Sequence, residues 1–423
     1  VDKEKFIIKG NKALKGEIEI GGSKNAAGAI LASTILTKED CFLYNVPLIE
    51  DVLNLIKVLE GMGAKIDWFG EKGVRINCAS IDPEKMNAAL VNKMRVSVLL
   101  IGPLLARFRN FKIANPGGDK IGLRPIGTHL EALSGLGTKI THNGEFYEFK
   151  TKELKGNVII LKEFSVTATE NLMMAATLAR GKTVIKAAAA EPHVQDLGNI
   201  LNKMGAKITG VGTHTIVIDG VKKLNGVRHS IIPDPLEAGT FIVAALATGG
   251  EIKVKKMAPE HLDVFFDKLK EAGANLKIGK NWVVALPSKF KAIKVQAMPY
   301  PGFPTDLQPI VASLLTQASG KALIHDPLYE NRFGYAQELR KMGADIEIVD
   351  PHRIMVFGKT PIRGAVIESF DIRAGASLVI AGLMAKGETA INNIYQIDRG
   401  YEKIDEKLRK LGADIKRIKI EEI

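Results

Sequence analysis

Leu339-Arg-Lys-Met-Gly-Ala-Asp-Ile346 closes a run of apolar residues at helical spacing and opens an alternating one, Asp345-Ile-Glu-Ile-Val349. The glycine between them suits a helix end, because a capping residue takes φ > 0 and glycine has no Cβ to clash there. The alternation that follows reads as a strand with one buried face. The phrase recurs as Leu59-Glu-Gly-Met-Gly-Ala-Lys-Ile66, Leu133-Ser-Gly-Leu-Gly-Thr-Lys-Ile140 and Leu201-Asn-Lys-Met-Gly-Ala-Lys-Ile208. It returns again as Leu269-Lys-Glu-Ala-Gly-Ala-Asn-Leu276 and Leu408-Arg-Lys-Leu-Gly-Ala-Asp-Ile415. The glycines Gly63, Gly137, Gly205, Gly273, Gly343 and Gly412 stand 74, 68, 68, 70 and 69 residues apart. Such spacing marks six copies of one structural unit.

Upstream of the phrase lies a second helical pattern, rich in alanine and leucine. It covers Ala26 to Leu36, Thr169 to Arg180, Gly239 to Thr248, Leu307 to Gln317 and Ala376 to Lys386. Each unit therefore reads strand–helix–strand–helix–strand–strand. Segments such as Ala244-Ala-Leu-Ala-Thr248 are apolar on nearly every side, which predicts helices inside and sheets outside. The period is too long for common solenoids, so three units per domain and two similar α/β domains are expected, divided near Ser230 to Pro235. Helix N-termini facing a cleft between them would favour an anionic ligand.

The 423 residues exceed one ordinary core. The longest apolar stretch, Val96 to Ala106, is interrupted by Ser97, Gly102 and Pro103 and falls short of a membrane span. Val1-Asp-Lys-Glu-Lys-Phe6 lacks the apolar run of a signal peptide, and Cys41 and Cys78 make no disulfide framework or metal cluster. These features lead us to expect a cytoplasmic protein. The net charge of +12 favours anionic partners: nucleic acid, or a small substrate with several phosphates and carboxylates. Aromatic residues make up only 6% and do not interleave with basic ones, which argues against nucleic acid.

Five further motifs carry a resemblance: Gly21-Gly-Ser-Lys-Asn-Ala-Ala27, Pro116-Gly-Gly-Asp-Lys-Ile-Gly-Leu-Arg-Pro125, Pro304-Thr-Asp-Leu-Gln308, Tyr329-Glu-Asn-Arg332 and Ile397-Asp-Arg-Gly-Tyr-Glu402. With the sixfold repeat, they resemble the enolpyruvyl transferase family over essentially the entire chain. Within that family they look like the branch acting on UDP-N-acetylglucosamine rather than on shikimate 3-phosphate. The shikimate branch usually has Ser-Lys-Ser at the first motif and Gly-Asn-Ala-Gly-Thr at the second. The resemblance implies the enolpyruvyl transferase fold, two domains each arranged as an inside-out α/β barrel of three βαβαββ units. It places one domain at 24–232 and the other at 1–23 plus 233–423, with the active site in the cleft between them. The implied substrates are phosphoenolpyruvate and UDP-N-acetylglucosamine, with no metal or organic cofactor and no nucleic-acid or membrane partner.

The implied chemistry is addition followed by elimination, which needs a base, an acid and cations for phosphate and carboxylate. By resemblance, Lys24 with Asn25, Arg124 and Arg399 hold the phosphate, while Arg332 and Arg373 meet the carboxylate or the intermediate. Arginine suits this role because its planar fork matches such oxygens bidentately. Asp306 is the candidate base for the sugar hydroxyl, and capping the next helix is the plainer reading of the same residue. Arg95, Arg124, Pro125, Ile126, Gly127 and Thr128 resemble one part of the sugar-nucleotide site. Glu163, Phe164, Ser165 and Val166 resemble another, joined by Asp306 and Leu328. Relatives often have aspartate at Gly127 and some have lysine at Glu163, where Lys162 could substitute. His129 reads equally well as a packing residue.

Asp119 is the departure, since most enzymes of this type carry cysteine in that loop as the acid. A carboxyl near pKa ~3.9 is far more acidic than a thiol near ~8.5, so a more acidic optimum is expected than in cysteine-bearing relatives. A carboxylate is also a poor nucleophile toward the epoxide fosfomycin, which predicts insensitivity. The remaining readings are the shikimate branch, an RNA-end cyclase with related repeats, and a catalytically silent binder.

Overall fold

The computed structural model describes residues 4–118 and 121–420. The six repeated glycines have φ between 92° and 103°. At Gly343 the N–H donates to Arg340 O at 2.9 Å and Ala344 N–H reaches back to Leu339 O at 3.0 Å. Gly63 and Ala64 repeat this with Glu60 and Leu59 at 2.8 and 3.0 Å. These bonds occupy carbonyls that a helix end leaves open, and a side chain at the glycine would strain the turn.

The chain divides into two compact units, one of residues 22–118 and 124–232, the other of residues 4–21, 121–123 and 233–420. In the first unit, three inner helices are α1 (Lys24–Ser33), α2 (Ile101–Arg107) and α3 (Val166–Ala176). Two four-stranded sheets follow the expected pattern. One orders Val227–Ser230, Cys41–Tyr44, Gly73–Asn77 and Lys65–Phe69; the other orders Val158–Ile160, Lys182–Lys186, Thr215–Asp219 and Lys207–Thr209. In each, the first pair is parallel and the rest antiparallel.

The second repeat departs from six equal units. Its sheet has three strands, Asn110–Ala114, Phe146–Lys150 and Lys139–His142, and no leading strand. Short helical turns at Pro83–Lys85, Ala88–Val91 and Arg95–Leu100 stand there instead. Two local caps explain the exchange: Asp82 accepts from Glu84 N–H at 3.0 Å and Asn87 from Leu90 N–H at 3.1 Å. Such side chains favour starting a helix over extending a strand.

A buried amide pins α2 to α3. Asn171 Oδ1 accepts from Gly102 N–H at 2.6 Å, and its Nδ2 donates to Val98 O at 3.0 Å and Thr167 O at 2.9 Å. A Cβ on Gly102 would lie 2.3 Å from the Asn171 carbonyl oxygen, so only glycine permits this approach.

In the second unit the inner helices are α4 (Pro235–Ala247), α5 (Gln308–Leu315) and α6 (Ile372–Met384), which pack on one another. Every residue from Leu236 to Leu246 and from Ile372 to Leu383 is buried, as apolar all-round helices require. Three four-stranded sheets surround them, and the parallel pairs Lys294–Gln296/Gly320–His325 and Val366–Glu368/Glu388–Asn392 are bridged by α5 and α6. The N-terminal strands Glu4–Lys9 and Lys15–Glu19 complete sheets of this unit. Among the described residues no helix is long and apolar enough to cross a membrane.

Candidate functional site

Pro304 disfavours helix before it, so Thr305–Leu307 forms a single 3-10 turn leading into α5. Asp306 sits inside that turn, whose cap residue is Pro304, while Leu307 is the cap residue of α5. Its Oδ1 accepts from Arg332 Nη2 at 2.7 Å and its Oδ2 from Arg373 Nε at 3.1 Å. The capping reading of Asp306 is thereby replaced by a bridge between two guanidiniums.

Arg332 and Arg373 are buried, at 3% and 4% exposure. Charged groups are rarely so enclosed unless paired. Burial opposes the charge of Arg332, but Asp306, Asp371 and Asp326 outweigh it and raise its pKa. Burial likewise opposes the charge of Arg373, which Tyr401, Asp306 and Asp234 overcome. Both stay cationic. Arg332 Nε and Arg373 Nη1 find no hydrogen-bond partner among the described residues, so each fork has a buried donor to spare.

The arginines are held from behind. Arg373 opens α6, where Asp371 Oδ1 accepts from the N–H groups of Arg373 and Ala374 at 2.8 and 2.9 Å. Its guanidinium lies 5.2 Å from the centre of the Tyr401 ring, and Tyr401 Oη pairs with Thr240 Oγ1 at 2.8 Å. Asp326, fully buried, accepts from Thr305 Oγ1 and from Leu328 N–H. Burial pushes Asp326 up, countered by the Thr305 bond and the charge of Arg332. Arg399, 7% exposed, donates to Gln396 Oε1 at 2.8 Å.

Asp371, Asp326 and Tyr401 escaped the sequence reading. Asp371, directly before an Ile-Arg-Ala-Gly helix, was recoverable as a cap, and Tyr401 lies inside a quoted motif. Asp326 had no local signal. Glu330 was also missed: its carboxylate accepts from Leu123 N–H at 2.5 Å, and Asn331 N–H donates to Ile121 O at 3.2 Å. Asp119 lies outside the described residues.

In the other unit, Ser23 caps α1 by accepting from Ala26 N–H at 3.3 Å, so Lys24 and Asn25 occupy its first turn. Lys24 Nζ lies 3.2 Å from Asp51 Oδ2. Arg95 Nη2 donates to Pro125 O at 3.4 Å, joining Arg95 to the Arg124–Thr128 segment. Thr128 Oγ1 donates to Glu163 Oε1 at 2.9 Å, and Ser165 caps α3 through Ala168 N–H. The segments 124–128 and 163–166 are thus brought together; Gly127 starts the helix Gly127–Ser134, behind which Ile126 is buried. Phe164 is exposed, its ring centre 4.7 Å from that of His214. Lys162 pairs with Glu131 at 2.9 Å, and a cavity of about 250 Å³ beside them is lined by Thr128, Ala132, Asn157 and Ile159.

His129 is 2% exposed and pairs with Thr167 Oγ1 at 2.8 Å. Burial first, and the charge of Arg95 second, push its pKa down to about 3. An unfolded imidazole binds a proton below about pH 6.5, the folded one only near 3, so the unfolded state binds more protons in that window. Stability should therefore fall as pH drops from 7 toward about 4.5, with this residue contributing about 2 kcal/mol. Urea unfolding of His129→Gln at both pH values should show a smaller acid loss than the parent; an equal loss removes His129 from the account.

The profile of the family described as EPSP synthase (3-phosphoshikimate 1-carboxyvinyltransferase) matches residues 8–408. A UDP-N-acetylglucosamine 1-carboxyvinyltransferase of Coxiella burnetii is 45% identical over 418 residues, 98% of this chain and 96% of the relative. UDP-N-acetylglucosamine 1-carboxyvinyltransferase 1 of Carboxydothermus hydrogenoformans is 47% identical over 425 residues, covering 99% of both. Among solved structures, the enolpyruvyl transferase NikO from Streptomyces tendae superposes with a TM-score of 0.90 at 24% identity over 100% of both chains. EPSP synthase from Acinetobacter baumannii does so with 0.74 at 20% identity, over 99% of this chain and 100% of its own. Those two structures share the fold of two units with helices inside and sheets outside. The profile match and the full-length relatives agree with the repeat, the fold and the motifs: this chain belongs to the EPSP synthase (3-phosphoshikimate 1-carboxyvinyltransferase) family.

Proposed function

We propose that this chain transfers the enolpyruvyl group of phosphoenolpyruvate to the 3′-hydroxyl of UDP-N-acetylglucosamine and releases phosphate, the first committed step of peptidoglycan synthesis, in the cytoplasm. The observation that carries the reading is the pair of buried guanidiniums at Asp306, each with an unused donor. Such a pair is built for a carboxylate. The full-length relatives named for this reaction support the choice of sugar nucleotide.

In this reading the sugar hydroxyl loses its proton to Asp306 as its oxygen attacks C2 of the enol, while C3 gains a proton. The tetrahedral adduct then loses phosphate from C2 and one proton from C3, which returns to the Asp119 carboxylate, and the double bond is restored. Arg332 and Arg373 hold the carboxylate throughout, and Lys24, Asn25, Arg124 and Arg399 take the phosphate, whose charge changes most at departure. Arg95, Pro125 to Thr128, Glu163 to Val166 and Leu328 seat the sugar nucleotide. Asp119 is the acid for C3.

Phosphate release from phosphoenolpyruvate should require UDP-N-acetylglucosamine and should not occur with shikimate 3-phosphate. The reverse pattern would transfer the chain to the shikimate branch, and binding without release would make it a silent relative. Fosfomycin should cause no time-dependent inactivation. The only thiols, Cys41 and Cys78, are fully buried, and burial pushes Cys41 up to about 12. Irreversible loss of activity with the label mapped to Asp119 would overturn this, whereas Asp119→Cys should become sensitive.

A further inference from the structure

The two guanidiniums read above as the partners of the substrate carboxylate are not idle in the substrate-free protein. Each donates to one oxygen of Asp306, at 2.7 Å from Arg332 and 3.1 Å from Arg373. The candidate base and the substrate carboxylate therefore compete for the same donors. We propose that Asp306 is a placeholder for that carboxylate, and that phosphoenolpyruvate, on binding Arg332 and Arg373, displaces Asp306 and frees it to act as base. This exchange presupposes phosphoenolpyruvate as their ligand, the reading given under Proposed function.

The exposures say which partner moves. The side chains of Arg332 and Arg373 are 2% and 4% exposed, that of Asp306 28%. Arg373 is fixed by Tyr401 and by the start of α6, and Arg332 lies 5.7 Å from the centre of the Tyr329 ring. Asp306 rides on one 3-10 turn whose neighbour Thr305 is held by Asp326. Its carboxylate can leave by rotating about its own side-chain bonds while the backbone stays in place. The unused Arg332 Nε and Arg373 Nη1 give an incoming carboxylate a first foothold before Asp306 departs.

The exchange couples binding to chemistry. A carboxylate between two cations is a weak proton acceptor, and one released from them is a stronger one. Asp306 thus becomes a competent base only when the enol is in place. It also means that Asp306 opposes substrate binding, so its removal should tighten the site for carboxylates while abolishing turnover. A residue that merely supported the pocket would give the opposite sign.

The test is calorimetric titration of phosphoenolpyruvate, pyruvate and inorganic phosphate into the full chain, without sugar nucleotide. The proteins compared are the parent, Asp306→Ala and Asp306→Asn. Phosphoenolpyruvate and pyruvate should bind Asp306→Ala about tenfold more tightly than the parent, about 1.4 kcal/mol. Inorganic phosphate should change by less than about twofold, because its proposed ligands are other residues. Asp306→Asn should fall between, since its amide oxygen still accepts from one guanidinium without a charge. Neither variant should turn over. Equal or weaker carboxylate binding in Asp306→Ala overturns the exchange, as does a gain shared equally by inorganic phosphate, which marks a general rise in positive potential. If Asp306→Ala does not fold, the Asn variant decides by the same comparison. If the parent turns over and the variants bind no tighter, the exchange alone fails. If the parent neither binds phosphoenolpyruvate nor releases phosphate, the functional reading fails with it.

Discussion

Arg373→Ala is expected to lower kcat/KM by about a thousandfold. Removing one partner of a buried ion pair costs about 3–5 kcal/mol, and each 1.4 kcal/mol is about a decade in rate, which brackets the effect between ~10² and ~10⁴. In the proposed reading the substrate carboxylate loses one of its two forks, while the bond to Asp306 Oδ2, which substrate binding would break in any case, is absent from the start and offsets a small part of that cost. Arg373→Lys should recover less than about tenfold of the deficit, because an ammonium restores the charge but not the planar fork. Tyr401, whose ring the guanidinium faces at 5.2 Å, should be left against a void in the alanine variant. Steady-state kinetics on material shown to be folded by circular dichroism would measure this. An alanine variant within tenfold of the parent would remove Arg373 from the site.

Asn171→Leu should destabilise the unit of residues 22–118 and 124–232 by about 3 kcal/mol. Leucine has a similar volume but leaves Gly102 N–H and Val98 O without their partner, each costing about 1–3 kcal/mol when buried. Gly102→Ala should be comparably harmful by a different route, since its Cβ would meet the Asn171 carbonyl oxygen at 2.3 Å and push α2 off α3. The two tryptophans make the measurement selective. Trp68 belongs to this unit and Trp282 to the other, so urea unfolding followed by fluorescence in a Trp282→Phe background reports on Trp68 alone. A shift below about 1 kcal/mol for Asn171→Leu would show that the amide is not what holds these helices together.

Much of this protein is written in local pattern. The six Leu-x-x-x-Gly-Ala phrases gave the helix ends correctly because a positive-φ cap is a demand one residue makes on its neighbours, legible without the rest of the fold. The buried helices were equally readable, since an all-round apolar face leaves them nowhere but the interior. The second repeat lacks its leading strand because Asp82 and Asn87 start helical turns there, a local signal that the sixfold repetition masks. At the candidate site, motif resemblance named Asp306, Arg332 and Arg373, but not what they do to one another.

The sequence by itself determined the repeat, the placement of helices inside sheets, and the residue types available for an anionic substrate. Each follows from periodicity, side-chain size or charge over a few neighbouring residues. Only the tertiary structure decided that Asp306 lies between two arginines drawn from 26 and 67 residues away, backed by Asp326 and Tyr401. Those contacts depend on which strands pair and which helices touch, and no local stretch of sequence encodes a distance between residues that far apart.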